Sequence, residues 1–166
     1  MTAFAETIGN AQDLAEKSLQ GEELSREEAL AVLNWPDDDV LSLLQAAFRV
    51  RQTYFGKTVK LNFLLNVQSG ICPEDCGYCS QSVKADSGVE ATKLMEVQAV
   101  LQSAAQARDA GSKRFCMGAA WRNPKERDMP AIVEIVKGVS GMGMETCMTL
   151  GMLTPQQAQQ LAEAGL

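Results

Sequence analysis

Leu61-Asn62-Phe63-Leu64-Leu65-Asn66-Val67 runs straight into Gln68-Ser69-Gly70-Ile71-Cys72-Pro73-Glu74-Asp75-Cys76-Gly77-Tyr78-Cys79-Ser80-Gln81-Ser82. The first segment reads as a β-strand. The second is a loop that carries three of the chain's five cysteines. The spacing Cys-x3-Cys-x2-Cys lets three thiolates converge on one metal centre. A structural zinc site takes four ligands, and an ordinary iron–sulfur cube takes four cysteines. A cube held by three leaves one iron open to a ligand that is not protein. Gly70 and Gly77 allow close backbone approach or positive φ, and Pro73 stiffens the turn.

Strands and helices alternate from there onward. A helix is predicted from about Glu96 to Ala110, with Val97, Val100, Leu101, Ala104 and Ala105 on one face. Lys113-Arg114-Phe115-Cys116-Met117 reads as a second strand, followed by a loop from Gly118 to Asp128. Asp128 is placed to cap a helix bearing Ile132, Ile135, Val136 and Val139. Met144 to Leu150 reads as a third strand. Thr154-Pro155 opens a last helix, with Ala158, Leu161 and Ala162 on its face and Gly165 at its end.

Strand–helix alternation predicts parallel strands joined by right-handed crossovers. Buried parallel strands usually read as unbroken apolar runs. Here one parity is polar: Asn62 and Asn66; Arg114 and Cys116; Glu145, Cys147 and Thr149. If that parity faces a common interior, the interior is a site. The fold class is thus α/β: the first three βα units of an incomplete (βα)8 TIM-type barrel, behind an N-terminal helical segment. A complete barrel takes about 250 residues, so the chain reads as a fragment. A small complete α/β domain is the alternative.

Residues 1–56 read as the helical extension and 57–166 as the partial barrel. In the extension, Ala11, Leu14, Ala15 and Leu19 form a loose apolar stripe ending near Gly21. Ser25 and Glu28 make a capping-box signature for a short helix through Ala29, Leu30, Val32 and Leu33, which Trp35-Pro36 breaks. Asp37, Asp38 and Asp39 suit the start of the next helix. Val40, Leu44 and Ala47, with Leu41 and Phe48, are its expected packing face, and Gly56 ends it.

Composition narrows the function. The chain has 166 residues, 15 basic and 21 acidic, for a net charge of −6. This disfavours nucleic acid and anionic membranes as main partners, because both demand clustered cations. Glu6 and the lack of a basic start argue against a signal peptide, and no apolar run reaches membrane-span length. A cytoplasmic protein is expected, where clustered cysteines serve metals more than disulfides. There is no histidine, which removes histidine triads, histidine-ligated zinc and imidazole acid–base catalysis. No catalytic side chain is assigned. Two alternatives to the open cube stand beside it: zinc with Cys116, Cys147 or a carboxylate as fourth ligand, and a closed electron-carrier cluster. Gly118-Ala119-Ala120 reads equally as a tight turn, and Met142, Met144, Met148 and Met152 as core filling.

The cysteine spacing, with Tyr78 before its last member, resembles the cluster loop of radical S-adenosylmethionine enzymes. The full string Gly70 to Ser82 is similar to the biotin synthase family. So are Arg114-Phe115-Cys116-Met117-Gly118-Ala119-Ala120-Trp121-Arg122-Asn123-Pro124 and Met148-Thr149-Leu150-Gly151. The resemblance implies that Cys72, Cys76 and Cys79 hold a 4Fe–4S cluster that binds S-adenosyl-L-methionine. It implies Tyr78, Gly118 and Ala119 beside that cofactor, and Cys116 and Cys147 on a 2Fe–2S cluster. That family's two further ligands to this cluster, a cysteine and an arginine, lie on later strands. The implied reaction is sulfur insertion into dethiobiotin to form biotin, with a flavodoxin- or ferredoxin-type electron donor and a homodimer at full length. As a fragment, the chain is expected to be inactive alone. The other function class is a non-catalytic iron–sulfur or zinc binding module.

Overall fold

A computed structural model describes residues 9–166. The helical reading of residues 1–8, and Glu6 with it, lies outside them. The chain divides into two compact units, Met1–Val59 and Lys60–Leu166.

The first unit holds α1 (Ala11–Leu19), α2 (Arg26–Leu33), a 3₁₀ turn (Asp37–Asp39) and α3 (Val40–Phe55). Two capping boxes set its helix starts. The Asn10 side chain accepts from the Gln12 and Asp13 amides, and Asp13 returns to the Asn10 amide. Ser25 and Glu28 do the same for α2, as their spacing predicts. Each cap satisfies amides that the first helical turn leaves without partners.

The packing face of α1 is the expected one, with Ala11, Leu14 and Ala15 buried, but those of α2 and α3 differ. Ala31 is the buried residue of α2, while Leu30 and Leu33 stay exposed. In α3 the core side is Leu43, Ala46 and Val50, packed with Ala11, Ala15 and Trp35. The predicted face, with Val40, Leu41, Leu44 and Phe48, is exposed. The reason is that the apolar arc of α3 covers more than half its circumference, with Ser42, Gln45, Arg49, Gln52 and Thr53 on the rest, so periodicity does not fix which part of that arc meets the core. Asp39 gives its helix no side-chain cap. Its carboxylate instead accepts from the Trp35 indole at 3.1 Å and the Ser42 hydroxyl at 2.6 Å.

The second unit is β1 (Asn62–Gln68), α4 (Val97–Asp109), β2 (Arg114–Ala119), α5 (Met129–Gly141), β3 (Glu145–Thr149) and α6 (Pro155–Ala164). The strands are parallel, in spatial order β1-β2-β3. The fold is α/β with a three-stranded parallel sheet, as the alternation predicts. Phe115, Met117 and Val67 turn to the helices and are fully buried with Val100, Ala104, Ile135 and Val139. Ile132, Val136, Leu150 and Leu161 continue this core toward α6. Each of these side chains larger than alanine stabilises by about 1.5–3 kcal/mol through burial.

Three local readings need correction. β2 runs through Gly118 and Ala119, so these are strand residues and not a turn. Asp128 occupies the cap position of α5 but makes no side-chain cap bond. On α6 the buried face is Gln157, Leu161 and Ala164, with Ala158 and Ala162 exposed. Gln157 goes inside because its amide closes a capping box with Thr154 and donates to Glu126 at 2.7 Å. Among the described residues no helix is long and apolar enough to cross a membrane.

Candidate metal centre

The cysteine loop leaves the C-terminal end of β1 through an irregularity. The pairing with β2 shifts between Asn66 and Gln68, so Val67 is an extra residue. Such bulges bend a strand and re-aim the side chains beyond them. The excursion is closed at its base, where the Ser69 amide donates to Thr92 Oγ1 at 2.9 Å, Thr92 returns to the Ser69 carbonyl at 3.0 Å, and Met95 donates to the Val67 carbonyl at 2.9 Å. Gly70 sits at φ +72°, and a Cβ there would meet the Glu90 carbonyl oxygen at 2.9 Å. Glycine is required there by both conformation and space.

Inside the loop, Cys72 forms an isolated parallel bridge with Ser82. Its amide donates to the Gln81 carbonyl at 3.2 Å, and its carbonyl accepts from Val83 at 2.9 Å. The Ser82 hydroxyl is buried, donates to the Glu74 carbonyl at 2.5 Å and accepts from the Lys84 amide at 3.1 Å. The Cys79 amide closes a turn on the Cys76 carbonyl at 3.0 Å. Cys76 is exposed, and Cys72 and Cys79 are half-buried; all five cysteines are free thiols. Among the described residues no three metal-ligating side chains already stand together as a metal-holding group. The donor set is three soft thiolates, which fits iron–sulfur or zinc and not a hard cation.

Cys116 and Cys147 do come together. They are direct register partners on neighbouring parallel strands, with Leu64 in the same row on β1. Their face is opposite to Phe115 and Met117, hence away from the helices. The rows on either side are Asn62, Arg114 and Glu145, and Asn66, Gly118 and Thr149. Every polar residue of the expected parity is therefore on one face. Burial pushes the Cys116 thiol up, and its hydrogen bond with Cys147 and the charge of that neighbour push it further. Arg114 and Lys60 pull it back. Both cations pair with Glu145 across the sheet.

The three residues expected at the cofactor do not share one face. Tyr78 is 95% exposed. Gly118 lies on the cysteine face, where a Cβ would stand 3.3 Å from Asn66 Oδ1. Ala119 packs its side chain into the core, so only its backbone is available to a ligand. Several residues that hold the site together escaped sequence reading. Arg122 binds Glu74 at 2.9 Å and so ties the β2–α5 loop to the cysteine loop. The Met152 amide donates to the Arg122 carbonyl at 2.9 Å, and the Trp121 indole donates to the Leu150 carbonyl at 3.0 Å. No local pattern announces these contacts.

No protein-family model matches the chain. Among curated proteins it is similar to the biotin synthases of Erythrobacter litoralis and Novosphingobium aromaticivorans, each 68% identical over 142 residues. That of Rhizorhabdus wittichii is 66% identical over the same length. These alignments take in 86% of this chain but only 41%, 39% and 41% of the relatives. The chain thus spans about two fifths of the curated relatives it matches. The kinship read from the cysteine strings is borne out at this level of identity. Among solved structures, methylornithine synthase matches with a TM-score of 0.76 at 20% identity, over 92% of this chain and 44% of that one. HydG, a maturase of the FeFe-hydrogenase, matches at 0.69 and 19% identity, over 94% and 35%. At such identities the likeness shows the fold alone.

Proposed function

We propose that this chain is the cluster-binding part of a biotin synthase, which uses S-adenosyl-L-methionine to insert sulfur into dethiobiotin. The observation that carries the reading is the placement of all five cysteines. Three lie on the loop leaving β1, and two lie level on the sheet face away from the helices. The three βα units then form the start of a (βα)8 barrel, with residues 1–56 as a helical extension and 57–166 as the partial barrel.

Cys72, Cys76 and Cys79 would hold a 4Fe–4S cluster, and Cys116 and Cys147 two corners of a 2Fe–2S cluster. When bound, the first cluster and S-adenosyl-L-methionine supply a 5′-deoxyadenosyl radical, and the second supplies sulfur. The chain's residues bind and orient. Ser82 and Gln81 fasten the loop around Cys72, and Gly70 lets it fold against Glu90. Tyr78, Gly118 and the Ala119 backbone border the cofactor, and Arg114 and Lys60 set positive charge near Cys116. A flavodoxin- or ferredoxin-type carrier supplies electrons, the full-length enzyme is a homodimer, and the compartment is the cytoplasm, where free thiols persist.

The sheet face bearing Cys116 is open, with Leu64 at 68% exposure. Radical chemistry needs water excluded, so this chain alone is expected to bind iron and to make no biotin. Anaerobic reconstitution with iron and sulfide, read by Mössbauer spectroscopy, tests the reading. A 4Fe–4S signal lost in C72A, C76A and C79A supports it. Stoichiometric zinc without iron overturns it in favour of a non-catalytic module. Incubation with dethiobiotin, S-adenosyl-L-methionine and reductant, read by mass spectrometry, tests the expected lack of biotin.

A further inference from the structure

A cavity of about 540 Å³ opens between the cysteine loop and the β2–α5 loop. Ile71 and Pro73, the neighbours of Cys72 on either side, line it from one loop. Lys93, Arg122, Lys125 and Arg127 line it with a single carboxylate, Asp128. Arg122 is engaged by Glu74, and Arg127 stands 3.6 Å from Asp128. Lys93 and Lys125 have no ion-pair partner among the described residues, and both are exposed. A chain of net charge −6 therefore carries a cationic pocket against the residues that flank a cluster ligand.

We propose that this pocket and its rim are the docking face for an acidic protein electron carrier. The inference rests on the reading that Cys72, Cys76 and Cys79 hold a cluster. That cluster must accept one electron at a time, and the donor must approach the loop. One electron leaves the reduced flavin of the carrier and enters the cluster, and no bond forms or breaks. The cations are exposed, which suits a protein surface; a small anion would call for a buried charged partner. An acidic carrier is repelled by most of a chain with net charge −6 and drawn to this pocket lined by four cations. Such complementarity sets orientation and association rate. A long polyanion such as RNA would overrun the pocket and meet Glu74 and Asp75 of the cysteine loop.

The test uses the iron-reconstituted 166-residue chain and a reduced flavodoxin, with binding read by surface plasmon resonance and cluster reduction by stopped-flow absorbance. K93E/K125E is compared with K113E/K137E, which makes the same charge change at exposed positions outside the pocket. The expected result is at least tenfold weaker binding and slower reduction in K93E/K125E alone, with unchanged reduction by dithionite. The difference should fade near 1 M salt, where screening falls to about 3 Å. Equal loss in both variants, no loss in either, or tighter binding of an RNA duplex than of flavodoxin overturns the proposal. Iron content is measured separately. Absent iron defeats the cluster reading, whereas intact iron with unaffected docking defeats only this one.

Discussion

Gly151→Ala should loosen the end of the sheet where the cysteine loop sits. Gly151 follows β3 with φ +71°. A Cβ there would overlap the Arg122 carbonyl oxygen, lie 2.8 Å from its carbonyl carbon and 3.1 Å from the Trp121 carbonyl oxygen. All three are backbone atoms, so no side chain can rotate away. The left-handed conformation costs a non-glycine residue about 1–2 kcal/mol, and the overlap adds about 1–3 kcal/mol. The expected loss is about 2–5 kcal/mol of the roughly 5–15 kcal/mol that holds a domain folded. With a urea slope of about 2 kcal/mol/M, the middle of the usual range, the midpoint should fall by about 1–2.5 M. Trp121 fluorescence in a W35F background reports this unit alone, because its indole bonds the Leu150 carbonyl next to Gly151. Iron retained after gel filtration should fall as well, since Arg122 links this clasp to Glu74 of the cysteine loop. Gly141→Ala is the control. It is the last residue of α5, with nothing within 4 Å of its Cβ position, and should gain about 0.5–1 kcal/mol. A G151A midpoint within about 0.2 M of the parent, on the same urea slope, would refute the reasoning.

Other outcomes are expected elsewhere. Phe115→Ala removes a fully buried ring stacked on Phe63 at 5.5 Å, and should cost about 3–5 kcal/mol in urea unfolding. Ser25→Ala leaves the Glu28 amide without its cap. It should cost about 1 kcal/mol, read as a lower melting temperature followed through Trp35 in a W121F background. Glu28 is held below its ordinary value of 4.5 by hydrogen bonds from Lys17 and from the Ser25 amide, against a smaller burial effect. A lowered folded value means its contribution is present above about pH 4.5 and is lost as pH falls through the folded value. Melting temperature followed over pH 3–6 should therefore drop less steeply in E28Q than in the parent.

Much of this protein is legible in sequence because the relevant forces act within a few residues. The helix starts at Ser25 and Thr154 follow from side chains that reach amides three residues on. The strands alternate with helices because the apolar period switches between two and 3.6. The polar parity of Asn62, Cys116 and Cys147 is readable for the same reason, since successive strand residues must point to opposite faces. The cysteine spacing needs no coordinates at all. Other features depend on which distant segments meet. The buried face of α3 is Leu43, Ala46 and Val50 because α1 packs there, and a helix with so wide an apolar arc could have turned otherwise. The level pairing of Cys116 with Cys147 depends on strand register, which parity alone leaves free to slide by two. The bulge at Val67, the bond from Arg122 to Glu74 and the close approach of Gly151 to Arg122 join residues far apart in the chain. Only folding brings those groups within hydrogen-bond or van der Waals range, so only the tertiary structure decides how the cysteine loop is held.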